Sequence, residues 1–185
     1  MRGLVLAGGK SSRFGSDKAL ALYQRVRFLE RAVLLLEELD LKPIVVTRQN
    51  ADYPFIECTT IQDKLPDLGP LGGIYSAMTI FKNTAFLILT CDMPGLTTAA
   101  LSGLLAKHRP HDLITAYLTE ESGVVQPFPG IYEPSLLGIV REKLKNGDLS
   151  MQDLFRRAPA VQVLRWQGDP NVFSNVNLLP AGVDF

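Results

Sequence analysis

The chain has 185 residues, which is enough for one sizeable domain and too few for two ordinary ones. Hydrophobic residues make up 46% and charged residues 21%, the composition of a folded globular protein. Nineteen basic residues balance nineteen acidic ones, so the charge argues against nucleic acid or an anionic membrane surface as a partner. Any recognition of phosphate groups must therefore be local.

The two cysteines, Cys58 and Cys91, show no spacing typical of a metal site. Two free thiols suit a reducing compartment. No signal-peptide core develops after the first residues, and no apolar run is long enough to span a bilayer. We therefore expect a soluble cytoplasmic protein that does not enter the membrane.

In the first half of the chain, short apolar runs alternate with stretches of helical periodicity. The apolar runs predict strands at 3–7, at 44–47, at 55–61 and, as the central buried strand, at 85–90. The periodic stretches predict helices at 28–39, at 71–81 and from a Thr97-Thr98 cap to about 107.

The second half continues the alternation, with strands predicted at 112–117 and 161–166 and helices at 134–145 and 150–157. The segment 124–132 is extended in character, but its two prolines, Pro127 and Pro129, argue against a central strand. Because strands and helices alternate, we predict a single three-layer, Rossmann-like α/β domain with a mostly parallel sheet.

A glycine-rich segment, LAGGKSSRFGSDK at 6–18, follows the first predicted strand. Ligands of open α/β sheets bind beyond the carboxyl ends of the strands, and glycines let backbone N–H groups approach a phosphate chain closely. Arg13 and Lys18 add cationic groups suited to phosphate oxygens. The spacing matches neither the Walker loop nor G-x-G-x-x-G, so we interpret the segment as a different kind of triphosphate-binding loop.

Asp92 follows the predicted central strand directly, in the motif Cys91-Asp92-Met93-Pro94. A carboxylate at this position is costly to bury unless it is paired or binds a cation. Mg²⁺ prefers one or two carboxylates together with substrate phosphates, so Asp92 is the predicted metal ligand. The alternative is a carboxylate that only caps a turn.

Two further segments are candidates for ligand contacts. Asp63 precedes a Gly69-Pro70 turn that opens a helix, and the N-terminus of such a helix is itself an anion or ligand site. The Asp63 carboxylate is suited to accept hydrogen bonds from a base edge or a ribose; the alternative is a solvated loop carboxylate. Near the end of the chain, Asn175 and Asn177 alternate, so their amides lie on one side of an extended segment and can recognise a heteroaromatic ring. Asparagines are also common turn residues.

Taken in this order, LAGGKSSRFGSDKA, Asp63 with GPLGGI, LTCDMP and FSNVN resemble the MobA family of molybdenum cofactor guanylyltransferases. The resemblance implies that GMP is transferred from GTP to molybdopterin carrying molybdenum, with release of pyrophosphate. It also implies a nucleotide-binding half at about 1–110 and a pterin-side half at about 111–185. Its implied protein partners are proteins that handle molybdopterin, or molybdoenzymes.

The resemblance also assigns roles to individual residues. Asp92 is implied as the Mg²⁺ ligand, Asp63 as the guanine- and ribose-side residue, and Thr47 stands where relatives often carry an asparagine that contacts the nucleotide. Arg13 and Gly15 match the second half of the phosphate loop. The implied phosphate-loop contacts are Leu6, Ala7, Gly8, Gly9 and Lys18, and the implied pterin-side residues are Asn175 and Asn177.

The hypothesis that follows is an in-line attack of the molybdopterin phosphate on the α-phosphorus of GTP, with Arg13, Lys18 and Asp92 as the catalytic set. Two alternatives stay open. The chain could be a cytidylyl- or sugar-phosphate nucleotidyltransferase of the same fold, or a non-catalytic protein that binds a nucleotide or a pterin.

Overall fold

The computed structural model describes residues 1–8, 17–65, 67–119 and 123–176, together with the backbone of residues 183–184. The helices of this part of the chain are α1 (Phe28–Glu37), α2 (Gly69–Ile80), α3 (Thr98–Lys107), α4 (Leu137–Lys145) and α5 (Met151–Arg157). The strands are β1 (Arg2–Leu6), β2 (Leu22–Tyr23), β3 (Val26–Arg27), β4 (Pro43–Thr47), β5 (Thr59–Gln62), β6 (Phe86–Thr90), β7 (Ile114–Thr119), β8 (Val125–Tyr132), β9 (Val161–Trp166) and β10 (Val183–Asp184).

Seven strands form one sheet in the order β5-β4-β1-β6-β8-β7-β9. All neighbouring pairs are parallel except the two that involve β8. The first four residues of β6 are completely buried, as expected for a central strand that is covered on both faces. The prediction of a mostly parallel sheet is confirmed.

Helices cover both faces of this sheet. A Cβ built on Gly3 in β1 would overlap Leu36 of α1 at 2.5 Å, whereas one built on Gly73 in α2 would overlap Leu6 of β1 at 2.9 Å. Residues 3 and 6 of a strand point to opposite faces, so α1 and α2 lie on opposite sides of the sheet. The two glycines let both helices approach β1 closely, and the three-layer architecture follows.

The expectation that 124–132 would not form a central strand is wrong. β8 lies between β6 and β7, and it pairs with β6 only through Gly130, Ile131 and Tyr132. On the other side, the register with β7 shifts between Ala116 and Tyr117, whose partners are Gly130 and Gln126. Pro127 and Pro129 fall inside this interruption, where a missing N–H breaks no ladder hydrogen bond.

A small antiparallel sheet, in the order β10-β2-β3, has no counterpart among the predicted elements. Gln24 and Arg25 connect β2 to β3 with φ angles of 51° and 67°, which are unusual for residues other than glycine. The strand predicted at 55–61 is shorter and lies at Thr59–Gln62, on the edge of the main sheet. No helix in the described part of the chain has the length and apolar character needed to cross a bilayer.

The carboxyl ends of β1, β4 and β6 meet at one edge of the sheet. Leu6 pairs with Val46 on one side and with Thr90 on the other, and the N–H of Ala7 donates to the carbonyl of Val46 at 2.9 Å. The residues that follow these strands are therefore brought together, as the sequence predicted for a ligand site at this edge.

Candidate active site

A cleft opens beyond the ends of β1 and β6 and faces the first turn of α2. Its lining combines backbone from the start of the glycine-rich segment with the residues around Lys18 and Asp92, namely Leu6, Ala7, Gly8, Lys18, Ala19, Gly69, Pro70, Thr90, Cys91 and Asp92. Gly69 begins α2 with φ of +59°, and no side-chain hydrogen bond caps this helix. The positive end of the α2 dipole therefore faces a cleft that also contains Lys18.

Lys18 and Asp92 form the charged centre of this cleft. The Lys18 Nζ lies 3.5 Å from Asp92 Oδ2, and the two side chains are 19% and 23% exposed. The other carboxylate oxygen, Asp92 Oδ1, is buried and accepts no hydrogen bond within the described residues. A buried carboxylate oxygen without a donor is costly, so this oxygen has unused capacity to coordinate a cation or to accept a hydrogen bond from a ligand.

This carboxylate fits Mg²⁺. Oxygen is the donor that this ion prefers, and Asp92 Oδ1 is an oxygen whose hydrogen-bonding capacity is unused. The described residues include no group of three His, Cys, Asp or Glu side chains that could hold a metal ion. A metal bound at Asp92 would therefore take most of its ligands from substrate phosphates and water.

The thiol of Cys91 also lines the cleft, but its chemistry is suppressed. Burial raises the pKa of this thiol to about 12, and the negative charges of Asp92 and Asp17 contribute to the same shift. A thiol that stays neutral near pH 7 is a poor nucleophile. Cys58 is half-buried, and both cysteines are free, as predicted.

The residue before Lys18 is held by two side chains from beyond β4. Asp17 Oδ2 accepts hydrogen bonds from the Tyr53 hydroxyl at 2.8 Å and from Arg48 Nη2 at 2.9 Å. Asp17 Oδ1 accepts from the N–H of Ala19 at 3.1 Å and so caps the short 3₁₀ turn Lys18–Leu20. Burial raises the pKa of Tyr53 above its usual range, and the bond to Asp17 raises it further. We call Asp17, Arg48 and Tyr53 the Asp17 clamp.

Asp63 is buried, and its carboxylate accepts hydrogen bonds from nearby residues of the protein. Asp63 Oδ1 accepts from the Ser76 hydroxyl at 2.9 Å and from the N–H of Leu65 at 3.0 Å. A Cβ on Gly72 would lie 2.7 Å from the carbonyl of Leu65 and 3.0 Å from Asp63 Oδ2, so glycine is needed where α2 passes this loop. Asp63 orders the approach to α2 and does not line the cleft; its contact with a base or ribose stays a prediction.

Thr47 ends β4 with a side chain that is only 3% exposed. Its hydroxyl donates to the carbonyl of Ile61 at 3.4 Å, and its own carbonyl accepts from the N–H of Asp63 at 2.8 Å. The structure thus ties Thr47 to β5 and to Asp63 and does not bring it into the lining of the cleft. A nucleotide contact by Thr47 stays a prediction.

The segment that contains Asn175 is joined to the Asp92 motif. The N–H of Val176 donates to the carbonyl of Asp92 at 2.9 Å, and the side chain of Asn175 next to it is exposed. Upstream, the backbone of Asn171 and Val172 passes so close to Gly95 that a Cβ there would lie 3.3 Å from the carbonyl of Asn171. This brings the predicted pterin-side segment to the same edge of the sheet as Asp92.

Several predicted residues lie outside the described residues, namely Gly9, Arg13, Gly15 and Asn177. Their predicted roles are therefore untested by the structure. Of the remaining predicted residues, Leu6, Ala7, Gly8, Lys18 and Asp92 line one cleft.

Sequence reasoning missed Thr90, Arg48 and Tyr53. Thr90 lines the cleft, and its Oγ1 is buried without a hydrogen-bond partner within the described residues. The rule that strand ends carry ligand contacts could have drawn attention to Thr90 and Arg48, which lie at and just after the ends of β6 and β4. No local signal in the sequence links Tyr53 to Asp17, because 36 residues separate them.

Comparison with known proteins agrees with this geometry. Residues 3–163 match the family model described as the MobA-like NTP transferase domain. A protein of Flavobacterium johnsoniae described as a probable molybdenum cofactor guanylyltransferase is 34% identical over 94% of this chain and 90% of its own length. A Geobacillus protein with the same description is 33% identical over 96% of this chain and 93% of its own.

A solved structure shares the fold. The molybdopterin-guanine dinucleotide biosynthesis protein A from Archaeoglobus fulgidus superposes with a TM-score of 0.74 over 89% of this chain and 83% of that protein, at 18% identity. The family model covers most of the chain, and the two relatives cover nearly all of it. The chain belongs to the family of MobA-like NTP transferases.

Proposed function

We propose that this chain is a molybdenum cofactor guanylyltransferase, which transfers GMP from GTP to molybdenum-bearing molybdopterin and releases pyrophosphate. The observation that carries the proposal is the Lys18–Asp92 pair, whose second carboxylate oxygen has no hydrogen-bond partner within the described residues, at the ends of β1 and β6. The relatives described as guanylyltransferases cover nearly the whole chain and supply the substrate assignment.

The binding of the triphosphate follows from the polar groups of the cleft. Gly8, which has no side chain, and Lys18 line the cleft together with the first turn of α2. Backbone amides, a helix N-terminus and an ammonium group all favour negative charge, so this end of the cleft would hold the phosphates. The charge that develops on the departing pyrophosphate would be stabilised by Lys18 and, in this proposal, by Arg13.

Asp92 would hold Mg²⁺ through its unpartnered Oδ1, while Lys18 stays beside Oδ2. When bound, Mg²⁺ would polarise the α-phosphate and neutralise charge on the triphosphate. No general base is required of the protein, because the attacking phosphate of molybdopterin is already ionised near neutral pH. The chain would act chiefly by positioning the two substrates and by electrostatics.

The acceptor would approach from the side of Asn175. The bond from Val176 to the carbonyl of Asp92 ties this segment to the metal-binding motif, so a group held by Asn175 would lie near the reacting phosphate. Asn177 would complete the pterin contact in this proposal. The proposal also includes a cytoplasmic location and transfer of the product to molybdopterin-handling proteins or molybdoenzymes.

A nucleotide competition experiment tests the substrate assignment. Purified protein with Mg²⁺ is titrated with GTP, CTP, ATP and UTP, and the heat of binding is measured. We expect GTP to bind at least about tenfold more tightly than the others, which corresponds to one or two base-specific hydrogen bonds. Tripolyphosphate serves as the control that reports binding of the phosphate chain alone.

A preference for CTP would replace guanylyl by cytidylyl transfer on the same site. Equal affinity for the four nucleotides would contradict base selection by this chain. Binding of GTP without pyrophosphate release, in the presence of molybdopterin, would favour a non-catalytic binding protein.

A further inference from the structure

The negative charge of Asp17 is unfavourable for the binding of a polyanion at this site. Its carboxylate immediately precedes Lys18, a cation that lines the cleft. An unneutralised negative charge there would repel phosphates and compete for the charge of Lys18. The charge of Asp17 lies next to the cleft, because the following residue, Lys18, lines it. Something must therefore offset this charge if the cleft is to hold a triphosphate.

The segment after β4 supplies a positive charge and a hydrogen-bond donor to Asp17. Arg48 Nη2 and the Tyr53 hydroxyl both donate to the same oxygen of Asp17, at 2.9 Å and 2.8 Å, while the other oxygen caps the turn at Ala19. Lys18 and Ala19 line the cleft, whereas Asp17 is not among the described residues that line it. The carboxylate is thus turned away from the cleft and held against a guanidinium group.

Tyr53 makes this arrangement rigid. Its ring is only 4% exposed and packs edge-on against Phe55, with 5.9 Å between ring centroids. The hydroxyl of a buried tyrosine has few alternative partners, so the bond to Asp17 fixes the carboxylate in one position. Arg48 is more than half exposed, so its contribution is mainly its charge and not its packing.

We propose that Arg48 and Tyr53 are positioning residues that hold the Asp17 carboxylate neutralised and outside the cleft, so that Lys18 can direct its charge to Asp92 and to a bound polyphosphate. The proposal rests on the proposed function only in requiring that a nucleoside triphosphate occupies this cleft. It does not depend on which base the nucleotide carries.

The alternative is a purely structural role, in which the Asp17 clamp only ties two loops together. The two roles predict changes in different measured quantities. A structural contact changes the melting temperature and leaves the affinity of the folded protein for polyphosphate unchanged. A neutralising contact changes that affinity, and only as long as Asp17 is charged.

A double-mutant cycle between Arg48 and Asp17 separates these roles. The variants are Arg48→Met, Asp17→Asn and the double substitution, and the probes are GTP with Mg²⁺ and tripolyphosphate with Mg²⁺. Arg48 is half-exposed, so Arg48→Met is expected to fold. Arg109→Met is the matched control, because Arg109 is 56% exposed against 55% for Arg48, and also donates to an aspartate, Asp112, at 2.9 Å.

We expect Arg48→Met to weaken both probes by about tenfold, and by less than about twofold when Asp17 is already Asn, since the charge to be neutralised is then gone. Arg109→Met should stay within about twofold of the unsubstituted protein, as should Arg48→Lys, which keeps the charge. Tyr53→Phe, which leaves Arg48 in place, should weaken both probes by a smaller factor, about threefold.

Two results would overturn the proposal. Equal weakening by Arg48→Met in both backgrounds would mean that Arg48 contacts the phosphates directly, and no weakening in either would leave the clamp a structural contact. Failure of the proposed function looks different: a preference for another base would leave the cycle with tripolyphosphate intact. A protein that binds neither probe would contradict both proposals.

Discussion

Two groupings in this molecule are each built on a lysine paired with aspartate, but they differ in how many of their charged atoms have a partner. On α4, Lys143 is fully buried, and its Nζ lies 2.5 Å from Asp148 Oδ2 and 2.8 Å from Asp153 Oδ2. Arg157 adds a contact of 2.6 Å to the same oxygen of Asp153. In the cleft, Lys18 and Asp92 are both partly exposed and 3.5 Å apart, and Asp92 Oδ1 has no hydrogen-bond partner within the described residues.

The difference separates a structural ion pair from a binding site. Hydrogen bonds from Lys143 and Arg157 hold the pKa of Asp153 well below its usual range. Asp148 in turn pairs with Lys143 and Arg157, so each charge in that group has a partner. A satisfied group of this kind has nothing left with which to bind a ligand. In the Lys18–Asp92 pair, Asp92 Oδ1 has no hydrogen-bond partner within the described residues, so it can still bind a metal ion or a substrate group.

The largest effect on turnover should come from removing the negative charge of Asp92. Asp92→Asn keeps the shape of the side chain and removes the charge that would hold Mg²⁺, so we expect turnover to fall by about 10²-fold or more. Pyrophosphate release from GTP in the presence of molybdopterin measures this. Because the charge of Asp92 is incompletely paired, the melting temperature should stay at or above that of the unsubstituted protein.

Turnover of Asp92→Asn close to the normal rate would remove Asp92 from the mechanism. A large fall in its melting temperature would instead make the Lys18–Asp92 pair a structural contact like that of Lys143.

Lys143→Met should have a smaller effect, and this effect should be on stability and not on nucleotide binding. This substitution keeps the buried stem and removes the ammonium group, which leaves two partly exposed carboxylates to Arg157. We expect a loss of about 2 kcal/mol in the free energy of unfolding, below the value for a fully buried pair, with no change in GTP affinity. Denaturant unfolding and nucleotide titration measure the two quantities.

Lys145→Met is the control, because Lys145 lies on the same helix and is exposed. It should change stability by less than about 0.5 kcal/mol. If Lys143→Met were as stable as this control, the α4–α5 group would not be the stabilising network that its geometry indicates.

The sequence predicted best what neighbouring residues decide. The apolar runs are sufficient to identify β1 as a strand and β6 as the central buried strand, and Thr97 caps α3 by accepting from the N–H of Ala100 as expected. Lys18 and Asp92, 74 positions apart, could be placed together because parallel strands end at the same edge of a sheet.

What the sequence could not predict depends on distant partners. The prolines of β8 argue against a central strand until the shift in the register with β7 is known. The β2–β3 connection uses Gln24 and Arg25 at positive φ, where glycine would have been the signal. The Asp17 clamp joins three residues with no common motif, and only the fold brings Tyr53 to Asp17.

Guanylyl transfer at this cleft is tested most directly by following the α-phosphate of GTP. The protein is incubated with Mg²⁺, molybdenum-bearing molybdopterin and GTP labelled at the α-phosphorus, and the products are separated. We expect the label to move to the pterin and one pyrophosphate to appear for each label transferred. Label that remains in GTP, or that appears in GDP with release of inorganic phosphate, would contradict nucleotidyl transfer at this cleft.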